Sequence, residues 1–436
     1  MPKNEKKKKA KKEGFTRTLT VVVALWIVKA FENQNINKQS LSLSNPLPEQ
    51  LPRGFQPDVQ NDYDYKSEAS SEYIQEDLNQ KPSGRTSPNN KYEIYTGSRD
   101  DRVCMKKIDP TVERKHVKEG KIPKFVIIGA DKCGTSALGK FLSDHPDVMY
   151  IGETYFFSRE WAKGSDWIKS KSAGVFEDQY VLEKSPTYYR SPAAPKRMLQ
   201  INPDMKVALV VCRNVKRLLS RYLHLYRPGE TNDQKKSRVT NFFGTTTSSF
   251  MRAALENINM FDRYLERLYP DWKNPEKLHL LIDGLVDKFE KVIPPFRRGL
   301  ENNIRGAPAS SMIADGLWPV FLKYWQRELG KDRIITIDGS MLNVDPAGQI
   351  ERLQDFFGLS KEISYKNFIF HQNRGILCLQ GSNGLPCCPT DEKGRSLGIE
   401  IDPEIKTRIC EFFKPFDDYM LEMMDLDWPS WRDTCE

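Results

Sequence analysis

The sequence predicts an α/β fold with a central, mainly parallel sheet flanked by helices. A short apolar run at 125–128 is followed by a glycine and then by a helical pattern. Two further β-like runs, Val207–Val211 and Ile334–Ile337, occur later in the chain. Helical patterns alternate with these runs at 136–143, 216–226 and 347–357. Such alternation is typical of parallel βαβ units.

Composition and charge indicate how the chain is organised. It has 436 residues, of which 39% are hydrophobic, so it can bury a sizeable core. Residues 1–17 contain eight Lys and Arg against two Glu, and therefore hold +6 of the net charge of +8. The rest of the chain is nearly neutral. A surface that binds nucleic acid along its whole length is not expected, and any anion site must be local.

An uncharged apolar run, Thr18–Val28, follows the basic tail. The residues Phe15–Phe31 would span about 26 Å as a helix, against a hydrocarbon core of about 30 Å. Bases that precede such a run keep the N-terminus cytoplasmic. We therefore predict a cytoplasmic tail at 1–17 and a signal-anchor at 18–31. A cleaved signal peptide and a buried helix are the alternatives.

The segment at 32–120 is rich in Asn, Gln, Ser, Pro and charged residues and poor in periodic apolar runs. This composition predicts a flexible lumenal stem. The folded domain is expected at 121–436.

The loop after the first apolar run predicts an anion site. Gly129 and Gly134 have the spacing of a nucleotide P-loop, and a helix N-terminus follows them. However, Thr135 stands where a Walker A motif has lysine, and the lysine of this loop is Lys132. Lys132 is suited to a phosphate leaving group without a triphosphate. An NTPase or kinase, with Ile334–Asp338 as its Walker B strand, is the rival prediction.

Five segments between about Lys124 and Trp431 resemble the Golgi heparan sulfate sulfotransferases: IIGADKCGTSAL, HPDV…GETYFFSREW, EKSPTYYRSPAAPKRM, RNVKRLLSRYLHLY and CLQGSNGLPCCPTDEKGR. The resemblance implies a P-loop-like sulfotransferase fold. It implies 3′-phosphoadenosine 5′-phosphosulfate (PAPS) as co-substrate, no metal, and heparan sulfate or a related glycosaminoglycan as acceptor. It also implies a single-pass type II protein of the Golgi membrane with a lumenal catalytic domain and no nucleic-acid partner.

The resemblance implies three catalytic residues. Glu153 would be the general base for the acceptor hydroxyl. Lys132 would stabilise charge on the leaving phosphate, and Lys184 would be a second cation at the reacting group. Where the family's 3-O-sulfotransferases have His and Asp, this chain has Tyr155 and Ser158. The transfer position therefore stays open between 3-O, N and another hydroxyl, and an inactive glycan-binding homologue is the alternative of another class.

The resemblance also implies a donor site. The residues that would hold the 5′-phosphosulfate are Lys132, Cys133, Gly134, Thr135 and Ser136. The loop that would close over the nucleotide is Lys393, Gly394 and Arg395. Arg213 and Ser220 would hold the 3′-phosphate, although they lie seven residues apart and the family has eight. Either one residue is deleted, or Cys212 takes the arginine position and Arg213 or Arg217 compensates.

A disulfide is the last feature that the resemblance implies. Cys378 matches its first cysteine, and both Cys387 and Cys388 qualify as the second. An oxidised pair agrees with a lumenal domain.

Overall fold

The computed structural model of the chain describes residues 92–97, 113–225, 247–289, 312–381, 384–389, 401–428 and 431. All of them belong to one compact unit, Ser67–Glu436. The predicted tail, the predicted anchor and the loop at 393–395 lie outside the described residues. Among the helices that are described, none is both long enough and apolar enough to cross a membrane.

The described strands are two to six residues long. In chain order they are β1 (Glu93–Tyr95), β2 (His116–Val117), β3 (Phe125–Gly129), β4 (Val148–Tyr150), β5 (Val175–Phe176), β6 (Tyr180–Lys184), β7 (Lys206–Val211), β8 (Ile334–Asp338), β9 (Phe368–His371), β10 (Ile376–Gln380) and β11 (Pro386–Cys387). The helices are α1 (Thr135–Leu142), α2 (Gly164–Ser170), α3 (Ala194–Ile201), α4 (Asn214–Leu225), α5 (Thr247–Leu268), α6 (Pro275–Asp287), α7 (Trp318–Leu329), α8 (Pro346–Phe357) and α9 (Pro403–Met423).

The central sheet has the order β4-β6-β3-β7-β8, and all of its neighbouring strands are parallel. This confirms the predicted α/β fold. The central strand β3 is buried along its whole length because a parallel strand is covered on both faces. The chain returns from β4 to β6 on one side of β3 and then crosses to β7 on the other side. Ligands bind at such a switch point, beyond the carboxyl ends of the strands.

Helix α7 shows why the core is large. Nine of its twelve residues are buried, including Trp318 and Trp325, which are fully enclosed. A helix that is apolar on nearly every side belongs in an interior. It contacts strand β8 and the helices α3, α6 and α9, so it links the central sheet to the helical layer.

The N-terminal boundary of the fold differs from the predicted one. Strand β1 pairs in parallel with β9, and β2 pairs with β5, although both β1 and β2 lie in the segment predicted as a flexible stem. The last part of that segment therefore belongs to the folded unit. Strands of two or three residues leave no periodic pattern in a sequence, and their partners lie far along the chain.

A second sheet, with the order β1-β9-β10-β11, contains the predicted disulfide. Cys378 in β10 is bonded to Cys388, which decides between the two open alternatives. Cys387 is also disulfide-bonded.

Candidate active site

The loop after β3 ends in an anion-binding geometry. Gly134 has a φ of 96° and is the N-cap residue of α1; within the described residues no side chain caps this helix, and its first turn has no acidic residue. The first N–H groups of a helix have no partner within it. Here they are available to a ligand. Lys132 also has a positive φ, 72°, a conformation that is unusual outside glycine and is concentrated at functional sites.

A disulfide ties this loop to the neighbouring strand. Cys133 is bonded to Cys212, directly after β7, and both residues are buried. On the other side, a Cβ at Gly339 would lie 2.1 Å from the carbonyl oxygen of Cys133, so only glycine fits there. The N–H of Cys133 donates to Ala130 at 3.2 Å. Cys133 therefore shapes the loop, and the donor-binding role predicted for it stays a prediction.

The loop also contains a buried acid, Asp131. Its carboxylate lies 3.1 Å from Arg221 and 3.9 Å from Arg190, which also pairs with Asp315. Burial opposes ionisation of Asp131, but the nearby guanidinium groups outweigh burial and lower its pKa. The acid is thus matched by positive charge, and it does not make the loop repulsive to a phosphate.

Lys184 connects the loop to the predicted base. It is the last residue of β6, and its side chain is only 3% exposed. Its ammonium group donates to Ser136 Oγ at 3.1 Å and to Glu153 Oε1. Tyr155 donates its hydroxyl to Glu153 Oε2. Because the Glu153 side chain is still 36% exposed, a bound acceptor could reach its carboxylate.

A second carboxylate belongs to Glu183, which directly precedes Lys184 and has no exposed surface. Its Oε1 accepts the Thr154 hydroxyl at 2.8 Å, the Ser185 hydroxyl at 2.5 Å and the Tyr188 hydroxyl at 3.1 Å. Burial raises the pKa of Glu183 to about 7, although these hydrogen bonds act in the opposite direction. The sequence offered no sign of this group beyond its place before Lys184.

The residues predicted for the 3′-phosphate lie at the start of one helix and within it. Arg213 directly precedes α4, Ser220 lies two turns into it, and both are half-buried. Arg217 is 2% exposed: its guanidinium donates to Asn214 Oδ1 at 2.9 Å and stacks on Trp318 at 5.4 Å. These core contacts occupy Arg217, so the alternative in which it compensates is not supported.

The aspartate of the predicted Walker B strand has a structural role in this fold. Asp338 ends β8, and its carboxylate accepts the N–H of Ser340 at 2.8 Å. This bond shapes the turn that brings Gly339 against the phosphate loop.

Comparison with known proteins gives a family match. A protein-family model, that of the sulfotransferase domain, matches residues 123–386 of this chain. Human heparan sulfate glucosamine 3-O-sulfotransferase 3B1 is 29% identical over 312 residues, which are 70% of this chain and 65% of that protein. The human 3-O-sulfotransferase 3A1 is also 29% identical, over 70% of this chain and 62% of its own length. The chain thus spans less than two thirds of these two relatives.

Among solved structures, a sulfotransferase from Alicyclobacillus acidocaldarius aligns with a TM-score of 0.45 and 22% identity, over 72% of this chain and 100% of that one. A score this low does not establish a shared fold, so the fold rests on the sheet topology described above.

Proposed function

The chain belongs to the sulfotransferase domain family, and from this premise we propose that it transfers a sulfuryl group from PAPS to a glucosamine hydroxyl of heparan sulfate. The two human relatives are both named for this acceptor and for 3-O transfer. The 3-O position is therefore the first candidate.

The observation that carries the proposal is the placement of Lys184. Its ammonium group lies between Ser136, in the first turn of the phosphate-loop helix, and Glu153. A cation between a phosphate site and a carboxylate base is what in-line group transfer requires, because negative charge develops on one side and a proton leaves on the other.

The residues present fit PAPS. The uncapped N-terminus of α1 offers N–H groups to a phosphate, and Lys132 lies in the same loop. When bound, PAPS would supply the sulfuryl group and the leaving phosphate. The Glu153 carboxylate would take the proton from the acceptor hydroxyl as its oxygen bonds to sulfur. Lys132, Lys184 and the helix N–H groups would stabilise the charge left on the phosphate.

N-sulfation is the second candidate. Tyr155 occupies the position where the 3-O-sulfotransferases that the sequence resembles have histidine, and N-sulfotransferase domains lack that histidine too. Disaccharide analysis of the product separates the two.

The location is part of the proposal. The basic tail and the run at 18–31 support a type II membrane anchor, and the disulfides support an oxidising compartment such as the Golgi lumen. Carbonate extraction and protease protection of the full chain in membrane vesicles test this. A protein that is released by carbonate or digested without detergent would contradict it.

The test of function is transfer of radiosulfate from labelled PAPS to heparan sulfate by the full chain. Glu153→Gln should lose at least about 100-fold in kcat, because general bases contribute about 10²–10⁴-fold. The matched control is Glu160→Gln, an acid seven residues further along the chain that pairs with Lys163; its rate should stay within about twofold of wild type. Equal transfer by Glu153→Gln and wild type would refute the base assignment. Hydrolysis of ATP with Mg²⁺, without use of PAPS, would refute the function.

A further inference from the structure

The segment that contains the predicted base has no regular secondary structure. We call Glu153–Phe157 the base segment; it follows β4, and its last two residues begin a turn. Tyr155 within it has a φ of 53°, which is strained for a residue with a side chain. Backbone N–H groups in such a segment need acceptors from elsewhere.

Two of these N–H groups reach Glu183 directly or through one hydroxyl. The Thr154 N–H donates to Glu183 Oε1 at 3.1 Å. The Tyr155 N–H donates to Ser185 Oγ at 2.9 Å, and that hydroxyl donates to the same carboxylate oxygen.

The next two N–H groups reach the same oxygen. Phe156 donates to the Thr154 hydroxyl at 3.2 Å, and that hydroxyl donates to Glu183. Phe157 donates to the Tyr188 hydroxyl at 3.1 Å, which also donates to Glu183. Four consecutive backbone N–H groups, from Thr154 to Phe157, therefore depend on one buried oxygen.

An ionised carboxylate is a costly way to make these bonds. Within the described part of the chain Glu183 has no cationic partner, and its Oε2 accepts no hydrogen bond. A buried charge without a counter-charge destabilises a fold. A glutamine of the same shape would offer a neutral acceptor at lower cost, but hydrogen bonds to a charged acceptor are about twice as strong.

We propose that Glu183 is a positioning residue, whose charged carboxylate holds the base segment so that Glu153 meets Lys184 and the acceptor. The inference rests on the proposed function only where it concerns transfer. The effect of Glu183 on the backbone of the base segment can be measured by hydrogen exchange, without any sulfuryl transfer.

Glu183 lies among several titratable and charged groups. The titratable and charged groups around it are Tyr150, Glu153, Tyr155, Lys184 and Tyr188. Burial raises the pKa of all three tyrosines, so they remain neutral. Protonation of Glu183 would weaken the hydrogen bonds through which it holds the four backbone N–H groups, and the base segment would loosen.

The experiment compares wild type, Glu183→Gln and Gln354→Leu in the full chain. Gln354 is a matched control because it is equally buried and binds both backbone groups of Ile363, at 2.8 and 2.9 Å, but lies in α8. Two readouts are taken: kcat and donor KM from pH 5.5 to 8.5, and amide hydrogen exchange of the base segment by mass spectrometry at pH 7.5.

We expect Glu183→Gln to lower kcat about 10-fold or more at pH 8, with donor KM within about twofold. Wild-type kcat should fall as pH drops below about 7, and this acidic limb should be absent in Glu183→Gln. Exchange in the base segment should be at least about fivefold faster in Glu183→Gln only. Gln354→Leu should lower the melting temperature but keep the acidic limb and the exchange of the base segment.

Unchanged exchange of the base segment in Glu183→Gln would overturn the proposal, as would a retained acidic limb. A wild type that transfers no sulfuryl group would refute the proposed function, and the exchange measurement would still decide the role of Glu183.

Discussion

The two sides of the candidate active site are held in place by different chemistry. On the donor side, the phosphate loop is bonded to β7 through Cys133–Cys212 and lies against Gly339. On the base side, the base segment depends on hydrogen bonds that converge on Glu183. A covalent link does not respond to pH near neutrality, whereas a buried carboxylate with a pKa of about 7 does. Donor binding should therefore be constant over a pH range in which catalysis changes.

Removing the donor-side bond has the largest expected effect. The double variant Cys133→Ser/Cys212→Ser opens a link between residues 79 positions apart, and the free energy of unfolding should fall by about 4.5 kcal/mol. Because the loop is then held less firmly, we expect the Kd of 3′-phosphoadenosine 5′-phosphate to rise about 10-fold. Denaturant unfolding and calorimetry measure these changes.

The control is Cys378→Ser/Cys388→Ser, which opens a link of 10 positions in the other sheet. It should cost about 3 kcal/mol and leave the donor Kd within about twofold. An equal change of Kd in both double variants would show that the donor-side bond has no special relation to the loop.

Lys132→Ala tests the charge on the donor side. The rate constant for transfer should fall about 1,000-fold, as when a group that stabilises developing negative charge is removed. Lys140→Ala, in the last turn of the helix α1 that follows the loop, is the control and should stay within about twofold of wild type. Similar losses in both variants would indicate a general effect of charge on α1.

The pH dependence of stability should have opposite signs on the two sides. The pKa of Glu183 is raised from 4.5 in the unfolded chain to about 7 in the fold. Its protonated form therefore contributes to the free energy of unfolding in full below pH 4.5, and this contribution is lost as pH rises through 7. Glu183→Gln does not titrate and should gain about 3 kcal/mol relative to wild type between pH 4.5 and 7. Urea unfolding at several pH values measures this difference.

Asp131 is the donor-side control for that experiment. The pKa of Asp131 is lowered in the fold, so its carboxylate contributes to the free energy of unfolding in full above about pH 4, and this contribution is lost only at lower pH. The stability difference between Asp131→Asn and wild type should therefore stay constant from pH 4.5 to 7. A parallel change in both variants would refute the assignment of the titration to Glu183.

The smallest effect is expected from Tyr155→Phe, which removes one hydrogen bond to Glu153. A hydrogen bond to a charged group contributes about 1.5 kcal/mol, so kcat should fall about 10-fold while the donor Kd stays unchanged. Tyr365→Phe, at an exposed position, is the control. A rise in donor Kd in Tyr155→Phe would mean that the two sides are not held independently.

The donor side was largely predictable from the sequence, and its covalent link was not. The glycine spacing and the apolar run before it predicted the strand, the loop and the helix. The bond between Cys133 and Cys212 was missed because it depends on β3 and β7 being neighbours in the sheet. Both cysteines follow the ends of parallel strands, and that placement is the signal that could have revealed the pair.

The base side was predictable only through a resemblance. Glu153 and Lys184 lie 31 residues apart, and no periodic pattern connects them. Glu183 looks like any strand acid in the sequence, because its burial follows from the base segment folding over it. The stem boundary failed for a similar reason, since β1 is defined by its partner β9.

The position of the new sulfate group on heparan sulfate, determined after transfer from radiolabelled PAPS, tests the account most directly. Wild type and Glu160→Gln should place the label on the 3-O position of glucosamine, and Glu153→Gln should yield almost none. Label on the amino group or on another hydroxyl would contradict 3-O transfer, and equal labelling by Glu153→Gln would contradict the role of Glu153 as the base.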